Sequence, residues 1–311
     1  ESVNDAKRWI EVFGIQFQPS EIAKLSLVIV VADIISRIRA NPYIEKKLFW
    51  VIIGISIVII GLIFTENFST AAILGSVVFA MMFIGQISFK RLGALLGVLV
   101  GGLLLGYIIL KTIPEDSKVP DQLKRAKTWV NRIDRAFENN DDTRYEINDE
   151  NRQVQNGRIA VARGKLFGVM PGNSVQRDYL SHAYDDFIFA IILEEMGLVG
   201  GIFVMFLYLV LIFRTGQIAT VCRSSFPAIL VTGLGMIITL QATVNMIVGS
   251  GLGLVTGQPL PMISRGGTSI LITSVYFGII LGVIRQIKEE NNPTKKPEED
   301  TVVDINDLTI S

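Results

Sequence analysis

The sequence predicts an all-α polytopic membrane helix bundle, and three observations carry that prediction. Half of the 311 residues are hydrophobic, and mean hydropathy is +0.47. The apolar residues gather in runs about as long as a helix needs to cross a hydrocarbon core of roughly 30 Å. Lys and Arg collect in alternate short loops, the distribution that marks the cytoplasmic side.

Seven spans are expected, at 19–37, 47–64, 68–86, 92–112, 186–213, 227–249 and 268–286. The loop 36–48 holds Arg37, Arg39, Lys46 and Lys47; the loop 87–91 holds Lys90 and Arg91; the loop 214–226 holds Arg214 and Arg223. The intervening short segments carry Glu66 and Asn67 in one case and Arg265 as the lone cation in the other, so the N-terminus faces out. Residues 113–185 then form one large extracytoplasmic loop, too long to be structureless in a compact protein, with short helices expected at 120–137 and 151–164. The division expected is a membrane domain over 1–287 and, from 288 to 311, a polar stretch without apolar periodicity that reads as a disordered cytoplasmic tail. The chain starts at Glu1 without Met, as a fragment of a longer protein would.

Composition excludes several functions. Cys222 and His182 are each the sole residue of their type, which excludes an intrachain disulfide and a His/Cys metal cluster. A net charge of zero gives no footprint for nucleic acid.

Chemistry concentrates in SHAYDDFIFAIILEEMG (181–197), where Asp185 and Asp186 stand at the mouth of a long apolar helix that also holds Glu194 and Glu195. A charge in or beside hydrocarbon costs a few kcal/mol or more, so it implies a function and a partner. The partner expected is in QPSEIAKLSLVIVVADII (18–35), where Glu21 and Lys24 share a helix face at i, i+3 spacing. The competing reading of Asp186 is an ordinary N-cap. Glu21 is either a second polar wall or a dipole-favoured acid in the turn after Pro19. Glu194 and Glu195, about two turns deeper, are assigned to interhelical hydrogen bonds. TGQPLPMISRGG (256–267) is too rich in Gly and Pro for a plain helix and reads as a re-entrant loop. Gln241 and Asn245, four residues apart on the preceding helix, can donate to its freed carbonyls or to a sugar.

These motifs, in this order, resemble the SEDS family of bacterial cell-wall polymerases, the group of FtsW and RodA. AKRWI (6–10), FQPSEIAKL (17–25), ENFSTA (66–71), RGKLFGVMPGNS (163–174), DFIFAIILEEMGLVG (186–200), QATVN (241–245) and VTGQPLPMISRGGTS (255–269) match its motifs across roughly residues 5–287. The family has ten membrane helices, and the motif alignment makes 19–37 its fourth, so the first three are expected to be missing. Local departures are His182, Tyr184, Asp185 and Arg265, where the family usually has Glu, His, Thr and Tyr, and Pro171 in the GNS loop.

The resemblance implies a multi-pass protein of the bacterial inner membrane with its site on the periplasmic side. The activity implied is peptidoglycan glycosyltransfer, in which a sugar hydroxyl of lipid II attacks the anomeric carbon of a growing chain and expels undecaprenyl pyrophosphate. Asp186 is then the general base. Lys24 is expected to keep it ionised, since burial favours the neutral acid and a nearby cation opposes that; Glu21 completes the catalytic set. Substrate contacts are expected from Arg8, Trp9, Gln18, Ser20, Asn173, Ser174, Gln241, Asn245, Ser264 and Arg265. Bland rivals stand beside several: packing for the two amides, headgroup anchoring for Arg265, the aromatic belt for Trp9. The loop cations Arg158, Arg163, Lys165 and Arg177 surround glycines in a pattern open to a phosphate cradle or to a solvated turn.

No cofactor is demanded, although Mg2+ or Mn2+ could bridge Asp186 and pyrophosphate. Implied partners are lipid II, a class B penicillin-binding protein and other divisome membrane proteins, the LSHAY flank and GNS loop leaning towards cell division over cell shape. Two rival functions are a lipid II flippase or transporter and a non-catalytic scaffold for the penicillin-binding protein.

Overall fold

The computed structural model describes residues 10–12, 15–112, 152–180, 183–253 and 256–291. Two short strands, β1 (Ile10–Val12) and β2 (Ile15–Phe17), pair antiparallel with Ile10 opposite Phe17. The helices are α1 (Pro19–Ala40), α2 (Glu45–Glu66), α3 (Phe68–Ile84), α4 (Phe89–Thr112), α5 (Arg152–Gly164), α6 (Ile188–Val221), α7 (Ser225–Gly249) and α8 (Gly267–Asn291). The expected all-α bundle is therefore observed, with one small ribbon added at its start.

Local chemistry sets the helix ends. Pro19 opens α1, Glu21 lies in its first turn and Arg37 and Arg39 in its last, which complements the helix dipole at both ends. Asn41 turns extended ahead of Pro42, as a residue before proline must. Asn67, from the ENFSTA motif, caps α3 by accepting from the Thr70 amide at 3.1 Å. The expected helix at 151–164 is α5; that at 120–137 lies outside the described residues. The helix α8 continues to Asn291, a turn past the expected boundary, and residues beyond it lie outside the described residues.

Among the described residues, five helices are long and apolar enough to cross a membrane: Pro42–Thr65, Phe89–Ile109, Ile188–Val221, Ser225–Gly249 and Gly267–Asn291. The protein is a multi-pass membrane protein. The other two expected spans correspond to α1, whose Glu21, Lys24, Asp33, Arg37 and Arg39 lower its apolar character, and to α3, a 17-residue apolar helix.

The core sits where α1, α3 and α7 meet. Leu27, Val31 and Ile35 from α1, Leu74 and Met81 from α3, and Ile229, Leu234 and Ile237 from α7 are fully buried there. Beside this core, α6 and α5 pack on the other flank of α7, with Phe187, Ile191 and Val248 forming a satellite cluster with Leu180 and Ala183. That flank carries the Tyr184–Asp186 segment.

Candidate active site at the mouth of the bundle

Lys24 is almost fully buried, at 1 % exposure, and its ammonium donates to Glu21 Oε1 at 2.7 Å and to Gln241 Oε1 at 3.3 Å. A buried ammonium without a carboxylate would be costly, and the i, i+3 spacing on α1 supplies one. The ion pair of Lys24 is thus within its own helix. The expected direct Lys24–Asp186 pair is replaced by a connection through α7: Gln241 meets Lys24, and Asn245, one turn along, donates to the Asp186 carbonyl at 2.9 Å.

Asn245 also donates to the Gln258 carbonyl at 2.7 Å, and Gln241 to the Pro259 carbonyl at 3.3 Å. The segment 256–266 is irregular, as its Gly and Pro content requires, and these amides satisfy its freed carbonyls. Gln258 reaches across to Thr70 Oγ1 at 2.7 Å, tying the capped start of α3 to the same knot. Ser264 donates to the Asp185 carbonyl and accepts from the Leu260 amide, while the Arg265 amide donates to the Tyr184 carbonyl at 2.9 Å. Three consecutive carbonyls, of Tyr184, Asp185 and Asp186, are therefore clamped by α7 and the irregular segment. The side chain of Asp186 is only partly buried. Its N-cap reading does not hold, because Phe187 occupies the cap position of α6 and no side chain caps it.

The second polar knot is deeper in α6. Glu194 is fully buried, and its carboxylate accepts from the Ser174 hydroxyl and from the amides of Val175 and Gln176 at 3.2 Å each, with Arg163 at 3.4 Å. The expected hydrogen-bonding role of Glu194 is met, but its partners belong to the loop after α5 instead of another membrane helix. Three residues on, Gly197 breaks α6 with φ 67°. The loop fills the break: the Val169 and Met170 amides donate to the Glu194 and Glu195 carbonyls, and the Leu198 and Val199 amides donate to the Lys165 and Leu166 carbonyls. A Cβ on Gly168 or Gly197 would collide with the backbone of the other segment, and both glycines have positive φ.

Several of the residues expected to contact substrate hold hydrogen bonds within the protein. The Ser174 and Ser264 hydroxyls, the Asn245 amide donors and one N–H of the Gln241 amide engage partners within the protein. Asn173 is exposed and donates to the Val169 carbonyl. The cradle reading of the loop cations weakens likewise, since Arg163 meets Glu194 and Arg158 donates to the Gly251 carbonyl at 3.2 Å. Arg177 lies close to Tyr184 and Asp178, both of which hold its guanidinium above its ordinary value. Gln18 is partly buried and Arg265 exposed. Buried oxygens of Ser20, Asn245, Thr256 and Thr268 have no partner among the described residues, so these acceptors and hydroxyls are open to water or substrate. Arg8 and Trp9 lie outside the described residues. No three His, Cys, Asp or Glu side chains gather among the described residues, so a hard cation at Asp186 would take most of its oxygens from phosphate and water.

A family model described as a cell cycle protein, FtsW/RodA/SpoVE, matches residues 1–289. The chain belongs to the FtsW/RodA/SpoVE family. Among its members, a protein of Enterococcus hirae named "Probable peptidoglycan glycosyltransferase FtsW" is 30 % identical over 299 residues, covering 95 % of this chain and 72 % of that protein. One of the same name from Dichelobacter nodosus is 33 % identical over 286 residues, covering 89 % of this chain and 66 % of that protein. The chain therefore spans about seven tenths of these relatives. Two solved structures share the fold. A chain from a peptidoglycan synthase complex, in work on coordinating polymerization and crosslinking, has a TM-score of 0.70 at 22 % identity, covering 92 % of this chain and 75 % of that one. The rod shape determining protein RodA of Thermus thermophilus has a TM-score of 0.59 at 21 % identity, covering 92 % and 71 %.

Within the FtsW/RodA/SpoVE family frame, Glu194 is the residue whose importance sequence reasoning understated. Its signal was present: a glutamate inside an apolar run followed three residues later by glycine.

Proposed function

We propose that the protein is a peptidoglycan glycosyltransferase that polymerises lipid II at the outer face of the bacterial inner membrane, with Asp186 as general base. The observation that supports it best is the clamping of the Tyr184, Asp185 and Asp186 carbonyls, which fixes the backbone beneath a partly exposed carboxylate. A base held this way loses little orientational freedom when substrate arrives.

The carboxylate of Asp186 takes the proton from the 4-hydroxyl of the acceptor sugar as that oxygen bonds to the anomeric carbon of the donor. The anomeric carbon–oxygen bond breaks, its electrons leave with undecaprenyl pyrophosphate, and the proton resides on Asp186 until released. The exposed guanidinium of Arg265, whose backbone is tied to Tyr184, is assigned to the departing phosphates. Lys24 and Glu21 act as positioning residues: their ion pair holds Gln241, and with it the turn of α7 that carries Asn245. Ser20 and Gln18, at the start of α1, are kept as sugar contacts, Ser20 through its unpartnered hydroxyl.

A class B penicillin-binding protein is the proposed partner, in keeping with the structural relative that comes from a peptidoglycan synthase complex. Other divisome membrane proteins are proposed partners too, in keeping with the description of the family as cell cycle proteins.

The test is glycan synthesis from lipid II by the full-length protein reconstituted with its penicillin-binding partner. Asp186→Ala and Asp186→Asn should abolish polymer with unchanged elution in detergent. Full polymerisation by either would remove Asp186 from the mechanism, and lipid II translocation in vesicles without glycan would favour a transporter.

A further inference from the structure

The strongest feature that polymerisation does not use lies at the opposite end of the bundle from Asp186. The last turns of α6 and α8 flank a cleft there of about 260 Å³, lined by Arg214, Gln217, Ile218, Val221, Ile284, Ile287 and Lys288. Its floor is almost wholly apolar, and each wall contributes one cation, Arg214 from α6 and Lys288 from α8. Other charged groups stand nearby. Arg285 pairs with Glu289 at 2.7 Å, Glu290 accepts from Gln286 at 3.0 Å, and Arg223 donates to Asn291 Oδ1 at 3.4 Å. Arg214 donates to Gln217, a neutral partner, and neither Arg214 nor Lys288 forms an ion pair with a carboxylate among the described residues.

We infer that this cleft binds an anionic glycerophospholipid of the inner leaflet, its phosphate bridged by Arg214 and Lys288 and its acyl chain lying on Ile218, Val221, Ile284 and Ile287. Charge complementarity selects this occupant. A zwitterionic lipid offers a compensated headgroup, and an apolar helix would strip water from two cations with nothing to replace it. Both walls belong to helices apolar enough to cross the membrane, and the cationic rim stands at their common end, where lipid phosphates are found. Because the phosphate touches both helices, bound lipid bridges α6 and α8 at this point.

The inner-leaflet assignment rests on the topology proposed above, and the test separates the two. Purified full-length protein in zwitterionic micelles is titrated with fluorescent phosphatidylglycerol and, separately, with phosphatidylcholine. Phosphatidylglycerol should bind at least about tenfold more tightly, and salt should erode the preference. Arg214→Gln with Lys288→Gln should weaken phosphatidylglycerol by about 30-fold, the sum of about 1 kcal/mol per basic residue, while retaining wild-type elution. Lys46→Gln with Lys47→Gln, cations of the same membrane end away from the cleft, should change binding by less than about twofold. Ile284→Trp, which fills the floor, should weaken both lipids. Equal loss in the Lys46/Lys47 control, or undiminished phosphatidylglycerol binding in the Arg214/Lys288 variant, would overturn the site. The native Cys222, adjacent to Val221 and partly exposed, reports the side independently: a membrane-impermeant maleimide should label it in inverted vesicles alone. Labelling in right-side-out vesicles would overturn the leaflet and leave the binding result readable.

Discussion

The helices α4 and α7 are similar in length and opposite in placement. Among the described residues the more apolar α4 buries almost none of its surface, whereas most of the less apolar α7, which carries Thr232, Gln241 and Asn245, is enclosed by α1, α3 and α6. In water the ranking would be reversed. In a bilayer the lipid tails are as apolar as leucine, so hydrophobicity marks the surface, and hydrogen-bonding side chains mark the interior that holds helices together. Polar residues at the centre of this bundle therefore set the site geometry, and changes there should matter far more than changes on α4.

The largest effect should come from Lys24→Met, which leaves Glu21 as a buried carboxylate without its cation and should destabilise by about 3–5 kcal/mol, read as a fall in the thermal midpoint in detergent. Adding Glu21→Leu should restore most of that midpoint, because an apolar pair of similar volume is tolerated where a lone charge is not. Polymerase activity should stay at least about tenfold down in the double variant, since Gln241 has lost its donor. Recovery of activity together with stability would reduce the pair to packing.

Next in size is Gly197→Ala, which forces a side chain into a left-handed backbone against the Leu166 carbonyl. The strain alone is about 3 kcal/mol, and limited proteolysis should find the 165–176 loop newly accessible. Asn245→Leu should cost about 2 kcal/mol by orphaning the Asp186 and Gln258 carbonyls, with a loss of turnover greater than the loss of stability. The smallest change should be Gly97→Ala on α4, where nothing lies within 4 Å of an added Cβ. Helix propensity predicts a gain of at most about 1 kcal/mol; a large loss of stability there would show that α4 is covered in the membrane.

The bundle was legible because hydropathy and helix length reflect one solvent requirement. The start of α6 fell within two residues of expectation, while its end at Val221 lies well past the expected 213. Arg214, Gln217 and Thr220 end the apolar run without ending the helix, so a hydropathy boundary marks the edge of hydrocarbon and not the edge of hydrogen bonding. The ribbon at 10–17 escaped notice because three-residue strands leave no alternating pattern to detect. At the candidate site, the polar residues stand out in the sequence and their hydrogen-bond partners do not. Lys24 had two carboxylates available in the reading, one three residues away and one on another helix, and spacing alone could not show that Glu21 claims its charge while Gln241 relays its position. The sequence likewise shows the Ser174 and Ser264 hydroxyls but not the acceptors of their hydrogen bonds, Glu194 and the Asp185 carbonyl.

The interruption at Gly197 separates two amides, of Leu198 and Val199, from the carbonyls of Glu194 and Glu195 that a continuous helix would give them. Residues 165–170 accept from the first pair and donate to the second, acting as a splint laid into the fracture. Removing a single residue from that splint would shift its register and strip four bonds at once, so an indel in a surface loop would be felt inside the membrane helix that begins just after Asp186.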